Sequence, residues 1–240
     1  ASPLTVEETP MTQTLKIYVG YDSREDIAWQ VARHSTLRHA TRPVEIYPLK
    51  QPALRELGLY TRGADTATTE FSLTRFLTPY LAAHDGWSIF MDCDFLVTRD
   101  ITEILSLLDP AKALYCVQHD YTPANMVKMD GKAQTVYPRK NWSSFMAFNG
   151  AHPGVKALTP GVVNTETPQY LHRFSWLDDA DIGELDREWN FLEGEYAKPE
   201  ALPMCVHYTN GGPWFEDWQN VDFGDEWRAE RDLYLAQAAE

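Results

Sequence analysis

The segment Ile89-Phe90-Met91-Asp92-Cys93-Asp94-Phe95-Leu96-Val97 joins a short apolar run to two carboxylates two positions apart. Alternation along a strand puts such a pair on one face, roughly 6–7 Å apart along the chain. At the carboxyl end of a parallel strand, side chains face the crevice where open α/β sheets bind ligands. Two neighbouring carboxylates repel unless positive charge sits between them. Mg²⁺ or Mn²⁺ is the natural candidate, because hard cations take carboxylate and phosphate oxygens. The competing reading is an acidic turn after a buried strand.

A second constellation is Val206-His207-Tyr208-Thr209-Asn210-Gly211-Gly212-Pro213-Trp214. An imidazole at a strand end can complete an oxygen-rich Mn²⁺ site. Gly211 and Gly212 would let the backbone approach a phosphate closely. A hydrogen-bonded histidine in a tight turn explains the same residues. The third is Gly20-Tyr21-Asp22-Ser23, which lacks the GxGxxG dinucleotide fingerprint. Tyr21 can stack on a base and Asp22 can accept from a base or ribose donor; a turn with a helix cap is the plainer alternative.

These groups need elements to hold them. Leu15 to Val19 reads as a buried strand ended by Gly20, and spacing of Ile27, Val31 and Leu37 predicts a helix through about Arg38. Val44 to Tyr47 is a second strand, so the chain opens β-α-β with a right-handed crossover. A loop is expected over Leu57 to Thr68, a helix over Phe71 to Ala83, and a third strand at Ser88 to Met91. Further on we expect a short helix (Thr102 to Leu108), a strand (Ala113 to Val117), a long polar loop (120 to 140) and another strand (Ser143 to Phe148). A helix over Thr165 to Phe174, an acidic turn-rich stretch (178 to 190), a strand (Pro203 to Tyr208) and a terminal helix (Trp227 to Ala238) complete the pattern. The expected fold class is α/β, with a mostly parallel central sheet flanked by helices.

Composition narrows the partners. The 240 residues carry 21 Lys and Arg against 35 Asp and Glu, a net charge of −14. That balance excludes a generic nucleic-acid binder and disfavours an anionic membrane surface. Apolar residues at 44% and charged residues at 23% describe a globular chain. No apolar run approaches the ~18 residues of a membrane span. Cys93, Cys116 and Cys205 form no CxxC pattern, so a reducing, cytoplasmic location is expected. Residues 1–11 read as a tag remnant or disordered tail, with Met11 as the expected natural start, and 12–240 as one domain.

Taken together, the three constellations resemble a GT-A-fold (Rossmann-like) glycosyltransferase, close to glycosyltransferase family 8, the group of glycogenin and lipopolysaccharide galactosyltransferases. The order and spacing agree from about residue 15 to 218, and look closest to an uncharacterised bacterial subgroup. The resemblance implies that Asp92, Asp94 and His207 bind a divalent metal, Mn²⁺ or Mg²⁺. It implies that Tyr21 and Asp22 hold the nucleobase and ribose of a donor such as a UDP-sugar. Arg75, in Phe71-Ser72-Leu73-Thr74-Arg75-Phe76-Leu77, would contact the donor sugar or diphosphate. The family's Lys in the late motif is absent here, so Arg139 or Lys140 becomes the candidate cation for the diphosphate. Asn141 to Ser144 and Asp178 or Asp179 fall where the family brackets the donor sugar. Asp92 and Asp94, with Asp179 as acceptor-positioning group or base, are the candidate catalytic set. Retention of configuration and a saccharide or glycan acceptor follow from the resemblance alone. Trp142, Trp176, Trp189, Trp214 and Trp218 suit sugar stacking or core packing. A haloacid-dehalogenase-like phosphatase, which also uses a strand followed by DxD, a sugar nucleotidylyltransferase, and a non-catalytic nucleotide-sugar or glycan-binding protein are the alternatives.

Overall fold

Leu15–Gly20 (β1) is almost wholly buried, as its run of apolar and β-branched side chains requires. It lies between Val44–Leu49 (β2) and Trp87–Met91 (β3), parallel to both. The crossover helix is Asp26–His39 (α1), so the β-α-β opening is as expected. The computed structural model describes residues 14–63, 69–120 and 138–239. The expected N-terminal tail 1–11 with Met11, and 64–68 and 121–137 of the two expected loops, lie outside the described residues.

The main sheet continues with Leu114–Cys116 (β5), Phe145–Asn149 (β6) and Ile182–Glu184 (β7), in the order β2-β1-β3-β6-β5-β7. β6 runs antiparallel to β3 and β5, while β5 and β7 are parallel. Every strand except β6 therefore points the same way. The carboxyl ends of β1, β3, β5 and β7 share one edge, where α/β sheets place ligands. A second sheet joins Phe95–Val97 (β4), Cys205–His207 (β9) and Phe191–Leu192 (β8). The chain passes from one sheet to the other at Asp92-Cys93-Asp94.

Several expected elements differ. Residues 71–83 form no continuous helix: turns lead into a 3-10 segment, Thr74–Leu77, and one helical turn, Thr78–Leu81, opened by Pro79. Thr165 to Phe174 is likewise split, because Pro168 starts a fresh helix with Thr167 as its cap. The acidic stretch 178–190 hides β7, where Gly183 is needed: a Cβ there would sit 2.3 Å from the Tyr115 ring. The C-terminal helix, Gly224–Ala238, packs on α1 through the buried Glu230, which takes His34 Nδ1 at 2.6 Å and Arg38 Nε at 3.0 Å.

Candidate functional site

Asp92 N donates to Ser144 O at 3.0 Å, and Cys93 is fully buried beneath the turn. With its middle residue driven inward, both acids are left at the sheet edge. This corrects the expected mechanism: a turn between β3 and β4, rather than strand alternation, brings the carboxylates together. Antiparallel pairing of Phe95 with His207 then delivers the imidazole. Ligand atoms of Asp92, Asp94 and His207 lie within 4.8 Å of one another.

Each member has its own support. Arg75 is buried and its Nη1 stands 2.9 Å from Asp92 Oδ1. The same guanidinium donates to Ser143 O at 2.8 Å and Ser72 O at 3.0 Å, and lies over the Phe90 ring at 4.9 Å. The His207 ring stacks on Phe95 with centroids 4.5 Å apart, and its Nδ1 is 2.9 Å from Asn190 Oδ1. His207 Nε2 lies 3.3 Å from Asp94 Oδ1, yet Asp94 Oδ1 is buried with no hydrogen-bond partner among the described residues. A buried carboxylate oxygen facing an imidazole without a hydrogen bond is costly alone and favourable around a cation. Two carboxylates and an imidazole suit Mn²⁺ or Mg²⁺, so the residues present fit a divalent metal.

The first turn is capped by Asp22. Asp22 is fully buried, and its oxygens accept from Arg24 N (3.0 Å), Arg24 Nε (2.8 Å), Arg24 Nη2 (2.7 Å) and Glu70 N (3.2 Å). Burial alone would raise its carboxyl, but these donors outweigh burial and hold it below the ordinary value. With four protein donors, Asp22 caps the turn and grips Arg24, the geometry of the plainer alternative, a turn with a helix cap. Tyr21 remains half-buried; its hydroxyl donates to Asp26 at 2.9 Å and Lys50 Nζ lies 4.4 Å from the ring centre.

Glu25 was not visible as a site residue in the sequence. It is buried and accepts from Trp214 Nε1 at 3.2 Å, tying the first turn to the late motif. Burial, reinforced by the fields of Asp94 and Asp22, pushes its carboxyl up to about 8. The late glycines serve packing. A Cβ on Gly212 would lie 2.0 Å from the Trp214 ring, and one on Gly211, at φ +144°, 2.7 Å from Trp218. Both indoles occupy the space a side chain would need, so packing by itself requires glycine at both positions.

The segment before β6 divides in two. Asn141, in the left-handed region at φ 63°, donates from Nδ2 to Thr209 at 3.2 Å, and Lys140 is buried. Arg139 turns elsewhere, donating to Arg173 O at 2.6 Å and pairing with Asp179. The Asp179 side chain is 83% exposed. Arg139 and Asp179 are thus engaged with each other at the surface, and Asp179 is not part of the Asp92–Asp94–His207 cluster. Of the other expected groups, Trp189 is core, buried against Phe145.

Beyond the carboxyl ends of β5 and β7 opens a cavity of about 650 Å³, lined among others by His119, Glu184, Asp186, Arg187 and Tyr196. His119 Nδ1 is 2.6 Å from the Tyr196 hydroxyl, and Arg187 lies over the same ring at 4.3 Å. Burial, with the positive field of Arg187, lowers His119 to about 3, so it is neutral at physiological pH.

With this geometry in hand, the chain can be compared with known proteins. It is 51% identical over 224 residues to Protein CDI of Arabidopsis thaliana, covering 91% of this chain and 86% of that protein. The chain belongs to the CDI protein family. No protein-family model matches it. Its fold is that of GT-A glycosyltransferases. The bifunctional glycosyltransferase WbbM superposes with a TM-score of 0.65 at 14% identity over 93% of this chain. GlyE of Streptococcus pneumoniae gives 0.61 at 15% over 94%, and the galactosyltransferase LgtC, in complex with donor and acceptor sugar analogues, 0.56 at 12% over 91%. The chain spans half the length of WbbM, 63% of GlyE and 95% of LgtC. This CDI-family fold is the mixed α/β sheet expected, and no helix among the described residues is long and apolar enough to cross a membrane.

Proposed function

We propose that this chain is a metal-dependent glycosyltransferase of the family 8 kind, moving a sugar from a nucleoside diphosphate sugar to a saccharide or glycan acceptor. The observation that carries the reading is the Asp92–Asp94–His207 cluster on the ligand-binding edge of a GT-A sheet, with Asp94 Oδ1 buried and lacking a hydrogen bond. The donor analogue named with LgtC supports a sugar donor. UDP as the carrier and retention of configuration rest on the family 8 resemblance. We take 12–240 as the catalytic domain. The three cysteines are free and buried, which supports a reducing, cytoplasmic location.

Asp92, Asp94 and His207 would hold Mn²⁺ or Mg²⁺. A divalent ion there supplies positive charge where negative charge develops on the departing diphosphate. Arg75 keeps Asp92 in place from below through its ion pair and its bonds to Ser72 O and Ser143 O. Arg24, held as a fork by Asp22, and the Tyr21 ring flank the carboxyl end of β1, where the nucleoside is placed in this reading. The cavity beyond β5 and β7 lies two strand spacings from β3, about 10 Å away. That separation suits an acceptor laid beside the donor sugar, with Tyr196 as an aromatic floor and Glu184 and Asp186 as acceptors for hydroxyls.

A panel of UDP-, GDP- and ADP-sugars, incubated with Mn²⁺ and read for sugar transfer or slow donor hydrolysis, tests the reading. Turnover of one donor that is lost in Asp94→Asn supports it. Tight donor binding with neither transfer nor hydrolysis would replace it with a non-catalytic nucleotide-sugar-binding protein.

A further inference from the structure

Asn190 lies in a 3-10 segment, Arg187–Asn190, immediately before β8, and is fully buried. Its amide has three contacts. Nδ2 donates to Ser144 Oγ at 2.8 Å and to Asn141 O at 3.3 Å, while Oδ1 faces His207 Nδ1 at 2.9 Å. The orientation is fixed by chemistry. Asn141 O can only accept, and the Ser144 hydroxyl already gives its proton to Asn141 O at 2.7 Å. Both partners on that side need a donor, so the NH₂ must face them and the amide oxygen must face His207. An amide oxygen accepts, so His207 Nδ1 carries a proton, and Nε2 is the nitrogen left to face a metal. That nitrogen is the one 3.3 Å from Asp94 Oδ1.

We propose that Asn190 is the positioning residue of the metal cluster, holding His207 in its Nδ1-protonated form with Nε2 aimed at the space between Asp92 and Asp94. The inference rests on the metal-binding reading above, but it concerns the imidazole and is measurable without metal. Phe95 fixes the plane of the ring by stacking, and Asn190 fixes its rotation about χ2 and its proton. Ser144 and Asn141 fix Asn190 in turn. Because Asp92 N donates to Ser144 O, one serine steadies both sides of the cluster: its carbonyl holds the DxD turn and its hydroxyl the histidine support. Partners of this kind typically change metal affinity 10–100-fold when removed.

The test has two readouts on the full chain. Long-range ¹H–¹⁵N spectra of metal-free, ¹⁵N-labelled protein, with the His207 signals assigned by their loss in His207→Ala, report the tautomer. Isothermal titration with Mn²⁺ alone reports affinity. In wild type, read at alkaline pH where an imidazole is neutral, the proton is expected on Nδ1 rather than Nε2. Asn190→Ala is expected to lose that bias and weaken Mn²⁺ binding about 10–100-fold. Asn190→Asp, which keeps an acceptor opposite Nδ1, is expected to recover most of both. Should Asn190→Ala fail to fold, Ser144→Ala frees the amide and is read in the same way. A neutral wild-type ring with its proton on Nε2 would overturn the inference. So would an Asn190→Ala protein that melts lower while keeping tautomer and affinity. If wild type shows the expected tautomer but binds no Mn²⁺, the functional reading falls while Asn190's hold on the imidazole stands.

Discussion

His207 Nε2 and Asp94 Oδ1 stand 3.3 Å apart without a hydrogen bond between them. In the metal-free chain the buried Asp94 oxygen is left without a hydrogen bond. Asp94→Asn should therefore stabilise the metal-free protein by about 1 kcal/mol, because the new amide NH₂ can donate to Nε2. Urea unfolding in a chelating buffer measures it. The same variant should lose stabilisation by Mn²⁺, the trade expected where a binding site is held in a strained state. A less stable Asp94→Asn protein in the chelator would mean that the contact is already favourable.

Arg75 tests how far the site depends on its floor. It is buried with Asp92, Ser72 O and Ser143 O around its guanidinium. Arg75→Ala strands a carboxylate and two carbonyls, and should cost about 3–5 kcal/mol in a denaturant melt. Arg75→Lys keeps the charge but not the fork, and should fall between.

Glu25 gives the protein a pH signature. Its folded carboxyl, raised to about 8 chiefly by burial, holds a proton that the unfolded chain has released above the ordinary value of 4.5. The folded state thus binds more protons in that interval, and stability falls as pH rises towards 8. His119 and His172 act in the opposite sense: burial lowers both to about 3, so stability rises with pH up to about 6.5. Metal-free protein should be most stable near pH 6.5. Glu25→Gln keeps an acceptor for Trp214 and should abolish the decline between pH 6.5 and 8.5, read as Tm across a buffer series. An unchanged decline would show that another group causes it.

Gly212 probes the late loop independently of chemistry. The Trp214 ring that a Cβ would strike lies against Tyr208, Phe215 and Trp227. The indole has little room to retreat, so Gly212→Ala should cost about 1–3 kcal/mol. A neutral effect in a urea melt would show that the loop shifts freely.

Much of this arrangement was legible because it is local. The β1–α1–β2 opening and the ends of β3 and β9 follow from apolar runs bounded by Gly, Asp and His, which need no distant partner to be recognised. Asp92, Asp94 and His207 were identifiable because each follows closely on a short apolar run. What escaped depends on distance along the chain. β4 and β8 have three and two residues, too few for a period, and exist because β9 pairs with both. Asn190 lies 17 residues from His207, and Glu25 189 from Trp214. Nothing near Arg139 and Asp179 shows that they would pair across 40 residues. The sequence leaves Asp22 between ligand contact and helix cap, and only the fold shows Arg24, two residues on, against its carboxylate.

The central claim is that Asp92, Asp94 and His207 bind a divalent metal together with a nucleoside diphosphate. Thermal melts of the full chain with Mn²⁺, with UDP, and with both test it most directly. The account predicts little change with UDP alone and a clear rise in Tm with both, larger than with Mn²⁺ alone. Asp92→Asn and Asp94→Asn should each abolish that rise. No shift with Mn²⁺ and any of UDP, GDP or ADP, or a shift that survives both substitutions, would contradict it.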